Sequence, residues 1–261
     1  MDFKTITVET DMRGVATLTL DRPEKHNALN AQMILELTRA AEVLGADRAV
    51  RAVVLAANGK SFCAGGDLGW MQDQAKKDRA GKMGESRALT TLLAALNALP
   101  KPLVARIQGP AYGGGVGLIS VCDIAIAVDG TKFGLTETRL GLIPATIGPF
   151  LVARMGAGFA RQVFFTGKGF STDFALRAGL VSRVCDVSGL EDFVEEELHA
   201  ILQCAPAAVE RAKALCQLLG GADPAEFANM TANALADCGE TDEAEEGIAA
   251  FFSKETPNWA R

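Results

Sequence analysis

Two glycine-rich turns, Ala64-Gly65-Gly66 and Gly113-Gly114-Gly115, each follow a strand-like stretch and each feed a helical one. A turn of this kind leaves backbone N–H groups free at a helix start, where the dipole favours negative charge. If the two turns converge, their main-chain donors form an oxyanion hole. Glycine lets a ligand carbonyl come close, and the amides take up charge developing on its oxygen. Removing one donor from such a hole costs on the order of 3 kcal/mol of transition-state stabilisation. The competing reading is a pair of ordinary tight strand-to-helix turns.

Other chemistries find less support. His26 sits in a loop just after Pro23, and His199 follows three glutamates in a helical stretch, so neither is posed beside a nucleophile. Cys63, between Phe62 and Ala64, reads as a small core or loop residue. The glycine runs lack both the Lys-Ser/Thr ending of a phosphate loop and the G-x-G-x-x-G spacing of a dinucleotide turn. Cys63, Cys122, Cys185, Cys204, Cys216 and Cys238 include no C-x-x-C pair, which predicts reduced thiols and no zinc site.

The elements that must position the turns are legible from periodicity. Residues 5–8 and 15–20 alternate polar and apolar around turn chemistry at 11–14, predicting an antiparallel hairpin. Leu29, Met33, Leu37, Ala40 and Leu44 recur at helical spacing. Residues 51–57 read as a buried strand, 58–67 as a loop, the stretch up to Pro100 as one long helical region, and 103–108 as another strand. The second glycine turn, an apolar run at 116–121 and another at 124–128 complete a βαβ rhythm. Glycines and Pro144 keep residues 131–148 irregular, and helical patterns follow near 172–178, 189–203, 206–219, 224–236 and 242–253. Asp223 before Pro224 and Thr241 before acidic residues fit helix starts, and Gly220-Gly221 marks a joint. Ile248, Phe251 and Phe252 form an apolar face that needs either the chain's own core or another subunit.

Composition bounds the partners. The 261 residues are 49% apolar and 22% charged, as in packed globular proteins. Lys+Arg 26 against Asp+Glu 32 gives −6, with no basic run longer than Lys76-Lys77, so no nucleic-acid surface is expected. Charges at Asp2, Lys4 and Glu9 are unlike a secretory leader, and no apolar stretch reaches membrane-spanning length, so a cytoplasmic protein is expected.

Five segments, in order and covering nearly the whole chain, resemble the crotonase (enoyl-CoA hydratase/isomerase) superfamily. They are Arg22-Pro23-Glu24-Lys25-His26-Asn27-Ala28-Leu29, Phe62-Cys63-Ala64-Gly65-Gly66-Asp67-Leu68, the run from Ile107 through Gly113-Gly114-Gly115 to Cys122-Asp123-Ile124, the run from Phe133 through Leu135-Thr136-Glu137-Thr138-Arg139 to Pro144, and residues 175–184. The resemblance implies an α/β fold, a spiral of ββα units over residues 1–200, with a helical trimerisation region at 201–261. It further implies a homotrimer or dimer of trimers acting on acyl-coenzyme A thioesters. Coenzyme A then belongs to the substrate, and no separate cofactor is expected.

By the same resemblance the oxyanion donors are the N–H groups of Gly66 and Gly114, which coincides with the reading from the turns alone. Glu137 matches one of the two glutamates that hydratases of this family use; the other falls at Gly117, which can neither orient water nor exchange a proton. The combination most resembles bacterial methylglutaconyl-CoA hydratases, with a double-bond isomerase or a non-catalytic thioester binder as alternatives. A working Glu137 needs a pKa raised by apolar neighbours, for which Leu135, Leu140 and Leu142 are candidates. Arg139 offers either a fork for a distal substrate carboxylate or a structural ion pair, the commoner employment. Lys25, the backbone of Ala64 and Lys254 match coenzyme A contacts, while the lysine that relatives carry just after the Asp67 region is Gly69.

Overall fold

A computed structural model describes residues 3–219 and 228–261. The expected joint at Gly220-Gly221 and helix start at Asp223-Pro224 lie outside the described residues. Strands β1 (Ile6–Thr10) and β2 (Val15–Leu20) form the antiparallel hairpin, and every later strand of the main sheet joins in parallel. The sheet runs β1-β2-β3-β4-β6-β9, with β3 Ala52–Ala57, β4 Leu103–Ile107, β6 Ile124–Val128 and β9 Arg183–Cys185. All six residues of β3 are buried, as expected of a parallel strand covered on both faces.

Helix α1 (Ala31–Ala46) starts where the Asn30 side chain accepts the N–H of Met33, and it buries Met33, Leu37, Ala40 and Leu44 as the spacing predicts. Met33, Leu37 and Leu44 each contribute roughly 1.5–3 kcal/mol by leaving water. The predicted single helical region before Pro100 is two helices, α2 (Leu68–Lys76) and α3 (Arg79–Asn97), because Asp78 caps a new start by accepting the N–H of Gly81. Helix α4 (Gly114–Ser120) leads from the second glycine turn into β6.

The sequence reading misses α5 (Gly148–Thr166), β8 (Gly169–Phe170) and β9. Pro149, Gly156, Gly158 and Gly167 punctuate α5, and Gly156 breaks it into two stretches with φ 73°. A small second sheet, β5 (Ala111–Tyr112), β7 (Phe133–Gly134) and β8, stands beside the first. Helices α6 (Thr172–Arg177), α7 (Leu190–Leu202), α8 (Pro206–Leu219), α9 (Ala228–Gly239) and α10 (Asp242–Ser253) follow. Ile248, Phe251 and Phe252 on α10 are exposed, so docking on the chain's own core is not their role. No helix among the described residues is long and apolar enough to cross a membrane.

Candidate active site

The first glycine turn lies between two other segments. On one side Leu29 donates to Gly65 O at 2.7 Å, and its own carbonyl accepts the N–H of Asp67 at 2.8 Å. On the other, Cys63 O accepts the N–H of Tyr112 at 2.9 Å. Because Leu29 bonds the residues flanking Gly66, the N–H of Gly66 itself points away from Leu29. The N–H of Gly114 opens α4 and is one of that helix's orphan donors. Neither N–H has a backbone partner among the described residues.

A positive φ calls for glycine at two positions in the turns. Gly113 has φ 46°, and a Cβ there would stand 3.8 Å from Gly65 Cα. Gly65 has φ 90°, and a Cβ there would meet Tyr112 O at 3.0 Å. The turns therefore meet backbone to backbone. Behind them Cys63 is fully buried, and burial pushes its thiol up to about 12, so it is packing rather than a nucleophile.

Glu137 arrives at the same place through the small sheet. Tyr112 pairs with Gly134, and the Gly113 N–H donates to Gly134 O at 2.9 Å, fixing the second turn against the strand that leads into Glu137. Glu137 opens a single 3-10 turn, Glu137–Leu140, closed by Gly141 at φ 72° and tied to α5 by a hydrogen bond from Thr138 Oγ1 to Phe164 O. Its Oε1 lies 3.3 Å from where a Cβ at Gly113 would be, and its Oε2 is buried without a hydrogen-bond partner among the described residues. Burial raises the carboxyl above the ordinary glutamate range, and its own backbone N–H offsets only part of that. Leu135 is buried as expected, but Leu140 and Leu142 are exposed, because the 3-10 turn and Gly141 direct them outward.

The remaining expected residues scatter. Gly117, expected beside the substrate, is closely packed on its Cβ side: a Cβ there would meet Ile147 Cγ2 at 2.6 Å and Leu93 Cδ1 at 3.5 Å. Arg139 makes no ion pair among the described residues, and its aliphatic stem lies against Gly167. Lys25 and Ala64 are exposed on adjoining segments joined by the Ala64 N–H to His26 O bond at 2.9 Å. Lys254 is exposed at the end of α10, a helix whose Glu243 and Glu246 bond the start of α8 and the N–H of Asn258 rather than either glycine turn. His26 is exposed and shares a hydrogen bond with Ser61, and His199 is exposed on α7.

Sequence reasoning gave no role to Arg22, Asp67 or Ile147. Asp67 carries a legible signal, an acidic residue directly before a helix, and its carboxylate accepts the N–H groups of Gly69 and Trp70. Arg22 and Ile147 have none, since their roles depend on residues distant in the chain.

With this geometry in view, the comparisons are specific. The family model described as enoyl-CoA hydratase/isomerase matches residues 10–261. A putative enoyl-CoA hydratase of Thermus thermophilus is 32% identical over 97% of this chain and 100% of its own length. A crotonyl-CoA hydratase of Syntrophomonas wolfei is 31% identical over 99% of each chain. Among solved structures, an enoyl-CoA hydratase from Shewanella pealeana superposes with a TM-score of 0.95 at 34% identity, covering 98% of this chain and 96% of that one. Pseudomonas aeruginosa AtuE superposes with a TM-score of 0.95 at 37% identity, covering 99% and 100%. The chain belongs to the enoyl-CoA hydratase/isomerase family, the crotonase superfamily.

Proposed function

We propose that this enzyme hydrates the α,β double bond of a branched, methylglutaconyl-CoA-type thioester, with Glu137 as its one acid/base group and the N–H groups of Gly66 and Gly114 as the oxyanion hole. Enoyl-CoA hydratase activity is that of its family. The observation that carries the finer reading is the Glu137 carboxyl, half-buried beside the Gly113 turn, with Oε2 buried and without a hydrogen-bond partner among the described residues. A carboxyl so desolvated holds its proton nearer neutrality, as a group that must both take and return one requires.

The steps balance with a single carboxylate. With the thioester oxygen on the two N–H groups, a water held by the Glu137 carboxylate gives it a proton as the water oxygen bonds the β-carbon. The π electrons move toward the thioester, and the enolate charge settles on the oxygen held by Gly66 and Gly114. Glu137 then returns its proton to the α-carbon, adding H and OH from one water. The branched, carboxylate-bearing substrate rests on the resemblance of the Gly117 and Glu137 segments. An acid at residue 117 would repel a second substrate carboxylate, and Arg139, free of an ion pair among the described residues, is available to fork one.

The packing of Ile147 on Gly117 also favours a second reading, double-bond isomerisation, which needs only one carboxylate to move one proton. Assaying crotonyl-CoA, 3-methylglutaconyl-CoA and a β,γ-enoyl-CoA separates the two. Hydration of the second is expected; migration without hydration supports the isomerase, and tight binding without turnover of any supports a non-catalytic binder. The exposed Phe251 and Phe252 support assembly through the region 201–261 as a homotrimer or dimer of trimers, and a cytoplasmic setting fits a substrate built on coenzyme A.

A further inference from the structure

One ion pair crosses between the two segments that hold the first turn. Arg22 Nη2 lies 3.0 Å from Asp67 Oδ2, with both side chains largely buried, and Arg22 Nη1 donates to Ala28 O at 2.6 Å. Asp67 directly follows Gly66 and caps α2 through Gly69 and Trp70 at 2.9 and 3.2 Å. Buried Asn27 adds a second tie: its Oδ1 accepts the N–H of Arg22, and its Nδ2 donates to Asn58 O and Ser61 O.

This arrangement has an electrostatic consequence. The cap places a carboxylate one residue from a donor whose task is to stabilise negative charge on a ligand oxygen. In a partly desolvated site an unpaired carboxylate there opposes that charge, while a guanidinium bonded to it cancels the opposition. The same guanidinium holds the turn to the Ala28 carbonyl, one residue before the Leu29 bonds that orient Gly66.

We propose that Arg22 is a positioning residue for the reaction: paired with Asp67, it fixes the direction of the Gly66 N–H and neutralises the carboxylate beside it. It touches no substrate, and the inference rests on the oxyanion-hole reading above. Burial alone would raise the Asp67 carboxyl, but the Trp70 N–H and Arg22 outweigh it and hold the group below the usual range, so it is charged throughout the working pH.

The test uses the intact enzyme and two readouts. In difference infrared spectra of bound [1-13C]acetyl-CoA, the wild-type carbonyl band should lie below its position in solution. In Arg22→Met it should move back toward that position, and kcat for the enoyl-CoA turned over should fall about 10- to 100-fold with KM changed less than about 3-fold. Asp67→Asn keeps a capping side chain while removing the charge, so adding it to Arg22→Met should restore about 5-fold or more of the lost kcat. It also keeps the question answerable should Arg22→Met alone fold poorly. A wild-type band at its solution position overturns the oxyanion-hole reading itself. A shifted band that Arg22→Met leaves in place, or a kcat loss that Asp67→Asn does not relieve, overturns the positioning role alone.

Discussion

Ile147 fills the space beside Gly117, its Cγ2 2.6 Å from where a side chain at residue 117 would begin. Two long-separated positions are thus matched in size, and α4 carries no acid facing the reaction. Gly117→Glu should overpack this contact and lower stability by about 1–3 kcal/mol in urea titrations. Adding Ile147→Ala should return part of that loss. A freely tolerated Gly117→Glu would mean that Ile147 swings aside without cost.

Gly115 and Cys63 make a similar pair behind the site, since a Cβ at Gly115 would lie 2.5 Å from Cys63 O. Gly115→Ala should therefore push the two turns apart, with a thermal midpoint lower by several degrees, as a cost of about 1–3 kcal/mol implies, and a lower kcat. Cys63 itself should resist iodoacetamide at pH 8 while exposed Cys204 and Cys216 react, which mass mapping of the alkylated peptides checks.

The sign of the Glu137 shift gives a stability prediction opposite to the usual carboxylate. Its folded value is raised by burial, so its favourable contribution is complete below the unfolded value and is lost as pH rises through the folded one. Glu137→Gln should consequently match the wild type in thermal midpoint near pH 4 and exceed it near pH 8. A variant less stable at pH 8 would mean the carboxylate is paired rather than desolvated.

Phe251 and Phe252 are 78% and 79% exposed on a helix near the chain's end, a large apolar cost for a free surface. Under the proposed assembly through this region, replacing both with serine should shift sedimentation toward the monomer. An unchanged sedimentation coefficient would contradict assembly through this helix.

Local chemistry made much of this molecule readable. The hairpin and α1 follow from spacing because each buries one periodic face, and β3, β4 and β6 follow from short apolar runs, whereas three-residue β9 carries no such signal. The glycine turns are visible as composition, but their meeting point is the contact of Cys63 and Gly65 with Tyr112, which no local pattern encodes. Helix α5 was hidden by its own glycines, and Leu140 and Leu142 were misdirected because a 3-10 turn, rather than a regular helix, sets where they point. Arg139 lacked the expected ion pair for a related reason: partners depend on which distant segment lies opposite, here Gly167.

Under the proposed mechanism, the pH dependence of kcat/KM reports the same carboxyl in the free enzyme. Its acid limb should fall above the ordinary glutamate range, in the direction that burial shifts Glu137, and should vanish in Glu137→Gln. A limb in the usual carboxylate range would assign it to another group.

The central claim, that one carboxyl moves the proton, is tested most directly by steady-state kinetics of Glu137→Gln with the enoyl-CoA that the wild type turns over. A fall in kcat of about 10²- to 10⁴-fold with thioester affinity largely kept is the expected result. Activity retained at the wild-type level would contradict it and remove Glu137 from the mechanism.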